Sequence, residues 1–276
     1  MMRGMQNDFS RPLAVMAIVN RTPDSFYDKG KTFALDAAVA AGAAAFEAGA
    51  TIVDVGGVKF APGPAVAIED EIALVVPVVR ELALLGDVSV DTFHPAVARA
   101  AIEAGAAIIN DTTGLRDPQM ADVVADSEAR IVIAHSLATP RTQHPLPHYD
   151  DVTAEVGAFL RQRSDLALER GIPAERIIID PGHDLNKNTL QTLEITRRLD
   201  EIAAIGFPLL VALSNKDFIG EALGRERDQR VAGSLAAAVF CVLHGASIAR
   251  AHNVPETVDA LRMVESIPGW RVPENL

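Results

Sequence analysis

The clearest indication of the fold is the segment Ile177-Ile178-Ile179-Asp180-Pro181-Gly182-His183-Asp184-Leu185-Asn186-Lys187. A run of isoleucines bounded by turn residues is typical of a strand that is buried on both faces, as in a parallel sheet. Asp180 therefore falls at the carboxyl end of a buried strand, which is where ligands bind in α/β folds. The rest of the chain repeats the same arrangement of a strand, a polar residue and a loop.

Strands and helices are predicted to alternate along the whole chain. The predicted strands cover residues 13–20, 51–55, 87–91, 107–110, 130–135, 176–180, 208–213 and 247–250. Helices are predicted between them, among them 34–48, 68–85 with a kink at Pro77, 118–125, 189–204, 231–244 and 255–266. Thr92 is a candidate cap for a helix that has Pro95 in its first turn. Eight strand–helix units in one series predict an α/β fold of the (β/α)₈ TIM-barrel type.

The alternative to a barrel is a doubly wound open sheet. That fold is disfavoured because the chain has no glycine-rich dinucleotide fingerprint. The length of 276 residues suits one barrel of about 250 residues. We therefore predict a single domain over residues 13–267, with tails at 1–12 and 268–276.

Composition narrows the class of protein. A hydrophobic content of 49% supports a large core and argues against disorder. The net charge of −12 argues against a nucleic-acid partner. No apolar run reaches the length of a membrane span, and the start of the chain lacks the apolar region of a signal peptide. The single cysteine, Cys241, excludes an internal disulfide and fits a reducing, cytoplasmic location.

Polar residues stand at or just beyond the ends of the predicted strands. In a barrel they would converge on one mouth. Carboxylates, amides and a lysine suit a polar heterocycle that carries both donors and acceptors. Asn20, Arg250 and His252 suit an anion such as a phosphate group. The full set is Asn20, Asp54, Asp91, Asn110, His135, Asp180, Ser214, Lys216, Arg250 and His252.

Each of these residues also has a simpler interpretation. A strand-end Asp or Asn often only caps the next helix, and Lys216 or His252 could be an ordinary loop residue. His135, His144 and His148 lack the spacing of a zinc site. The mixed-charge run 225–230 is interpreted as a solvated loop and helix start, and Cys241 as a core residue.

Several segments together resemble dihydropteroate synthase over nearly the full length. Any one of them would be weak evidence, but their order and spacing are specific. They are Asn20-Arg-Thr-Pro-Asp-Ser-Phe26, Asp54-Val-Gly-Gly57, Ser89-Val-Asp-Thr92, Ile109-Asn-Asp111, Asp180-Pro-Gly182, Ser214-Asn-Lys216 with Phe218-Ile-Gly220, Gly233-Ser-Leu-Ala236 and Arg250-Ala-His252.

The resemblance implies a homodimeric barrel that joins p-aminobenzoate to a dihydropterin methyl diphosphate, with Mg²⁺ helping the diphosphate to leave. The partners it implies are a pterin diphosphate and p-aminobenzoate or its analogues. It implies a pterin pocket lined by Asp91, Asn110, Asp180 and Lys216. It also places Asn20 at the metal and Arg250 and His252 at the diphosphate. Asp28, on the first loop, and Lys216 are the candidate catalytic residues.

The chain departs from the family pattern on the loops beside the second substrate. The usual Gly-Gly-Glu-Ser-Thr-Arg-Pro-Gly reads Gly-Gly-Val-Lys-Phe-Ala-Pro-Gly at residues 56–63. The usual Asp-Pro-Gly-Ile-Gly-Phe-Gly-Lys becomes the stretch 180–187 quoted above, so Asp184 and Asn186 stand where glycines are usual. If those glycines take a positive φ, Asp184 and Asn186 are expected to fit poorly.

Smaller changes affect the charged residues. Asn215 replaces the Arg of a usual Ser-Arg-Lys, Asn253 replaces an Asp, and Arg21 stands where Val is usual. Losing one transition-state contact typically costs ~10²–10³ in rate. The sequence therefore predicts a paralogue with impaired or absent synthase activity. The alternatives are an active synthase, a methyltetrahydrofolate-type methyltransferase barrel and a non-catalytic binding protein.

Overall fold

The computed structural model describes residues 13–20 and 35–272. The predicted tail 1–12 and the last residues of the other tail lie outside these ranges. The strands are β1 (Ala14–Asn20), β2 (Ile52–Gly56), β3 (Asp87–Asp91), β4 (Ile108–Asp111), β5 (Arg130–Ala134), β6 (Ile177–Asp180), β7 (Leu210–Ala212) and β8 (Ile248–Ala251). The helices are α1 (Leu35–Glu47), α2 (Ile68–Leu82), α3 (Pro95–Glu103), α4 (Gln119–Ala125), α5 (Val152–Glu169), α6 (Thr189–Arg197), α7 (Leu199–Ala203), α8 (Asp217–Leu223), α9 (Val231–Leu243) and α10 (Val254–Ser266).

The strands form one parallel sheet in the order β6-β5-β4-β3-β2-β1-β8-β7. A bridge between Ile179 of β6 and Leu209, beside β7, brings the two ends of the sheet together. Helices connect the successive strands. The predicted (β/α)₈ barrel is therefore confirmed.

The three isoleucines of β6 serve two separate cores. Because side chains alternate across a strand, Ile177 and Ile179 pack in the layer between the sheet and the helices. Ile178 points the other way, into the barrel interior. It joins an inner cluster with Met16, Ile52, Ile108, Val132, Leu210, Ala212 and Ile248.

Some element boundaries differ from the predictions. The predicted helix 189–204 is two helices, α6 and α7, because Arg198 between them leaves helical geometry (φ −107°, ψ 28°). The short helix α8 was not predicted; it ends at Gly224, which adopts the left-handed conformation. The capping role predicted for Thr92 is wrong, since His94 is the residue that precedes α3. The Thr92 hydroxyl instead accepts a hydrogen bond from the His94 N–H at 3.2 Å.

Candidate functional site

A polar layer closes the barrel interior at the carboxyl ends of the strands. The same alternation that turns Ile52, Ile108, Ile178 and Ile248 inward repeats two residues later, where each strand carries a polar residue. The inward positions above the apolar layer are Asp54 on β2, Asn110 on β4, Asp180 on β6 and Arg250 on β8. Asp91 ends β3 beside them, paired in register with Asn110.

Arg250 links two carboxylates in this layer. Its Nε donates to Asp54 Oδ2 at 2.7 Å, and its Nη2 donates to Asp91 Oδ2 at 3.1 Å. Asn110 Nδ2 donates to the same Asp54 oxygen at 3.3 Å. The strands β2, β3, β4 and β8 are thereby joined through side chains inside the barrel.

The Asp91 carboxyl group has a raised pKa even though it is paired with Arg250. Burial raises its pKa to about 7, and the nearby carboxylates of Asp54, Glu71 and Asp111 add to this rise. The Arg250 guanidinium acts in the opposite direction. Asp91 therefore titrates near neutral pH and can either donate or accept a hydrogen bond.

Asp180 and Lys216 form the opposite side of the layer. Asp180 Oδ1 accepts a hydrogen bond from the Gly182 N–H at 2.7 Å. Burial raises the pKa of Asp180, whereas Lys216 and this hydrogen bond lower it. The Lys216 ammonium donates to the His183 carbonyl oxygen, and burial lowers its pKa. The predicted pterin-pocket residues Asp91, Asn110, Asp180 and Lys216 thus lie in or next to one layer.

The loop after β6 accommodates its two substitutions well. Asp184 has a φ of 60° and Asn186 a φ of 52°. The poor fit predicted for them is wrong, because Asp and Asn tolerate the left-handed region better than other non-glycine residues. Their side chains also anchor the loop. Asp184 Oδ2 accepts from the Phe218 N–H at 3.2 Å, and Asn186 Nδ2 donates to the Pro145 carbonyl oxygen at 2.6 Å.

Lys187 holds the same loop to the end of β5. Its buried ammonium contacts His135 Nδ1 at 2.9 Å and the Gly182 carbonyl oxygen at 2.9 Å. Burial lowers the pKa of Lys187 to about 7. Burial, together with Lys187, lowers the pKa of His135 to about 2, so its imidazole stays neutral. His135, placed at the mouth by the sequence, is thus a partner of Lys187.

His183 was not predicted as part of the site. Its side chain is fully buried, and neither ring nitrogen has a hydrogen-bond partner among the residues that the structure describes. Its ring lies 6.5 Å from the Phe218 ring. Burial lowers its pKa well below the usual value, with Lys216 and Lys187 acting in the same direction. The residue is therefore a neutral imidazole beside the lysines of the layer.

The second loop, residues 57–67, is attached to the loop after β5 through Arg141. The guanidinium donates to the carbonyl oxygens of Pro64 (2.8 Å), Ala61 (3.0 Å) and Lys59 (3.4 Å). The Arg141 N–H also donates to the Phe60 carbonyl oxygen at 3.1 Å. No pattern in the sequence indicates this attachment, because the two segments lie about 80 residues apart.

The other predicted site residues lie at the rim. Asn20 ends β1, with its Oδ1 facing the Gly56 backbone. The His252 N–H and Nδ1 lie 3.1 and 3.2 Å from Ser214 Oγ. Burial and then Arg250 lower the pKa of His252 to about 4. Asp28 lies outside the described residues, as does Arg21.

The three histidines weighed as zinc ligands have different surroundings. His135 contacts Lys187, the His144 ring packs 5.3 Å from Phe60, and His148 Nε2 lies 3.8 Å from Asp150. Within residues 13–20 and 35–272, no three His, Cys, Asp or Glu side chains are grouped in a way that could hold a metal ion. Among the helices in these ranges, none is long and apolar enough to cross a membrane.

Fold and polar layer together define a barrel that binds a small polar molecule at the carboxyl ends of its strands. A family model described as pterin binding enzyme matches residues 16–252. The chain belongs to this family and is a homologue of dihydropteroate synthases.

The relatives include a protein named as an inactive dihydropteroate synthase and proteins named as dihydropteroate synthases. The chain is 43% identical to a Mycobacterium leprae protein named inactive dihydropteroate synthase 2, with 95% of each chain covered. It is 40% identical to the dihydropteroate synthase of Escherichia coli K12, covering 96% of this chain and 94% of that one. A Xanthomonas albilineans dihydropteroate synthase solved with 4-aminobenzoic acid is 43% identical, with a TM-score of 0.86 and coverage of 95% and 94%.

Proposed function

We propose that the protein binds a pterin on its polar layer and has severely impaired or absent dihydropteroate synthase activity. One contrast carries the proposal. The strand residues Asp91, Asn110 and Asp180 and the loop residue Lys216 lie in or next to one polar layer that suits a pterin, whereas the loops beside the second substrate have lost their usual polar groups. The strands therefore retain a ligand site that the loops no longer complete.

The layer offers the hydrogen-bonding groups that a pterin needs. A pterin has an amino group next to a ring N–H, and a carboxylate such as that of Asp180 can accept from both. Asn110 Oδ1 is buried and has no partner among the described residues, so it is available as a further acceptor. An unmet buried acceptor costs about 1–3 kcal/mol, which a bound ligand would recover.

The second-substrate side supports the loss of activity. Residues 58–61 are Val-Lys-Phe-Ala, so the Ser, Thr and Arg of the family pattern are missing. Asn215, in place of an arginine, donates its Nδ2 to Asn253 Oδ1 at 3.2 Å. The inactive relative from M. leprae supports the same conclusion. Because each lost transition-state contact costs ~10²–10³ in rate, the combined loss would leave little turnover.

For the leaving-group side, we propose that Mg²⁺ would be held in part by Asn20. Its amide oxygen is a hard ligand of the kind Mg²⁺ accepts, and Mg²⁺ usually keeps waters and substrate phosphates as its other ligands. Arg250 and His252 lie on the same side of the layer. The ion would supply charge stabilisation to a departing diphosphate. The chain would supply the amide oxygen, the guanidinium and the neutral imidazole.

Calorimetric titration with the dihydropterin diphosphate and Mg²⁺, followed by p-aminobenzoate and product detection, tests the proposal. The E. coli synthase is the positive control. We expect saturable pterin binding with turnover at least a thousandfold below the control, and binding lost in Asp180→Asn. Turnover near that of the control would overturn the proposed loss of activity. Absence of pterin binding would overturn the proposed ligand.

An active synthase is the second candidate function. The 40% identity to the E. coli enzyme and the intact strand-borne residues favour it. Arg250 and His252 on one side of the layer suit a diphosphate, which counts against the methyltransferase alternative. That alternative would bind a pterin without diphosphate and would need a corrinoid partner.

We further propose a homodimer in the cytoplasm. The exposed face of α9 is apolar, comprising Ala232, Ala236, Phe240 and Leu243, and α9 packs beside α10, where Met263 is 59% exposed. Such a patch suits a second copy of the chain. Phe240→Glu should convert a dimer to a monomer in analytical ultracentrifugation, whereas Leu84→Glu, at an exposed leucine after α2, should not. A monomeric parent protein would contradict the dimer.

The buried thiol of Cys241 is compatible with a reducing compartment.

A further inference from the structure

A carboxyl group lies buried beneath the start of the second loop. Glu71 is in the first turn of α2, its side chain has no solvent exposure, and neither carboxylate oxygen has a well-formed hydrogen bond among the described residues. A Cβ placed on Gly57, the first residue of the loop, would lie 3.2 Å from Glu71 Cγ and 2.9 Å from Val75 Cγ1. The Glu71 side chain and the loop backbone are therefore packed directly against each other.

The groups around Glu71 favour its neutral form. The Nε2 of His94, the residue before α3, lies 3.9 Å from Glu71 Oε2; burial lowers the pKa of this imidazole, and Asp117 acts in the opposite direction. Asp91, on β3, is a further acid whose pKa is raised by burial and, among other charges, by that of Glu71. Burial raises the pKa of Glu71 itself from 4.5 to about 7, and the Thr92 hydroxyl lowers it. The carboxyl therefore keeps its proton up to neutral pH.

The first turn of α2 is weakly held from other directions. The helix begins after Ala67, which offers no side-chain cap for the first N–H groups. Residues 61–70 are exposed except for the partly buried Val66. Glu69 and Asp70, exposed in the same turn, are further acidic groups beside Glu71. A segment with so little buried surface can open locally while the barrel stays folded.

We propose that Glu71 is a proton-operated latch: the neutral carboxyl keeps the first turn of α2 and the second loop packed on the barrel, and loss of its proton releases them. Once ionised, Glu71 has no lysine or arginine partner among the described residues, and an unbalanced charge is costly to bury. Unwinding the uncapped first turn brings the carboxylate into water. The latch concerns the conformation of the loop and does not depend on whether the polar layer binds a pterin.

The pH range of the latch follows from the two forms of the loop. In the released form Glu71 is in water and has its usual pKa of 4.5, whereas burial raises the pKa to about 7 in the packed form. The packed form therefore keeps a proton that the released form gives up. The ratio of packed to released protein should fall about tenfold per pH unit between pH 4.5 and 7 and stay constant above pH 7.

Amide hydrogen exchange of the ligand-free protein tests the latch, with protection factors corrected for the pH dependence of chemical exchange. The amides are those of residues 71–74, which close the first turn of α2; the Glu71 N–H donates to the Ala67 carbonyl oxygen at 3.0 Å. Glu71→Gln keeps the shape of the side chain and cannot ionise. Glu69→Gln makes the same change in charge at an exposed position, and His94→Gln removes the neighbouring imidazole.

Wild-type protection of these amides should fall about thirtyfold or more between pH 5 and pH 7.5. Glu69→Gln and His94→Gln should show the same fall, whereas protection in Glu71→Gln should change less than about threefold. At every pH these amides should be at least about tenfold less protected than those in the middle of α5, because the opening is local.

Three results would overturn the latch. A fall that persists in Glu71→Gln would mean that another group, such as Asp91 or His94, is the one that titrates. Constant wild-type protection would mean that the loop does not respond to the proton. Protection equal to that of α5 would mean that release requires unfolding of the whole barrel.

Discussion

Arg250 Nε lies 2.7 Å from Asp54 Oδ2, which joins two residues 196 positions apart inside the barrel. The Asp54 side chain is fully buried and that of Arg250 is 16% exposed. Removing one partner of such a pair leaves an uncompensated buried charge. The pair is therefore a structural element as well as part of the candidate site.

Arg250→Ala should lower the free energy of unfolding by about 3–5 kcal/mol, measured by urea denaturation. Arg250→Lys should recover only part of the loss, since one ammonium cannot bridge Asp54 and Asp91 as the guanidinium fork does. The control is Arg130→Ala, which breaks the exposed pair with Asp87 and should cost less than about 1 kcal/mol. Equal losses in the two alanine variants would contradict the buried role of Arg250.

Arg141→Ala should release the second loop. The variant loses the guanidinium bonds to Pro64, Ala61 and Lys59, each worth about 0.5–1.5 kcal/mol. Amide hydrogen exchange over residues 58–64 should accelerate at least tenfold. Arg116→Ala is the control, because the Arg116 guanidinium donates to Thr139 and Ala138 of the loop after β5 and has no described hydrogen bond to the second loop. Unchanged exchange in Arg141→Ala would show that other contacts fix the loop.

Glu71→Gln should stabilise the protein at alkaline pH. The Glu71 side chain is fully buried, the His94 Nε2 lies 3.9 Å from its carboxylate, and neither carboxylate oxygen has a well-formed hydrogen bond among the described residues. Burial raises its pKa to about 7, partly offset by the Thr92 hydroxyl. A carboxyl with a raised folded-state pKa binds a proton that the unfolded chain has released, so it makes stability fall as pH rises from about 4.5 to 7.

The measurement is the Tm of wild type and Glu71→Gln at pH 5 and pH 8. The variant should gain about 2–3 kcal/mol relative to wild type between these pH values, and the two proteins should be similar at pH 5. Glu69→Gln, at an exposed position in the same helical turn, should show no such dependence. A pH-independent difference would mean that Glu71 acts through shape alone.

Asn186 should tolerate glycine better than alanine. Both substitutions lose the 2.6 Å bond to the Pro145 carbonyl oxygen, but only alanine suffers strain at a φ of 52°. We expect losses of about 1 kcal/mol for Asn186→Gly and about 2 kcal/mol for Asn186→Ala. At Ala158, an exposed position in α5, alanine should instead be more stable than glycine, and Ala158→Gly should cost about 1 kcal/mol. Equal losses at Asn186 would contradict the strained backbone.

The sequence predicted the barrel and its polar layer because both depend on short-range periodicity. The run 177–179 followed by Asp180 already places an inward aspartate above an inward isoleucine. The same period of two locates Asp54, Asn110 and Arg250. This alternation does not predict which of these side chains form hydrogen bonds with one another. The bonds of Arg250 to Asp54 and Asp91 depend on closure of the sheet into a barrel.

The loops were predicted less well, for a physical reason. Arg141 acts through carbonyl oxygens of a distant loop, and Lys187 acts through His135 and carbonyl oxygens of its own loop. The position of a carbonyl oxygen cannot be read from residue identity. Asp184 was expected to strain its loop. The loop instead uses its carboxylate as an anchor for Phe218, which no spacing rule indicates. Asp28 lies outside the described residues, so its predicted role stays a prediction.

The bond network around Arg250 also bears on how such a chain can change over evolutionary time. If those side chains hold the barrel shut, selection for a folded protein alone would keep them after the original reaction had been abandoned. The presence of these residues is then evidence that the chain folds, and it is not evidence that the chain turns over a substrate. The loop residues lie outside this network, so after loss of catalysis substitutions would accumulate in the loops before they reached the strands.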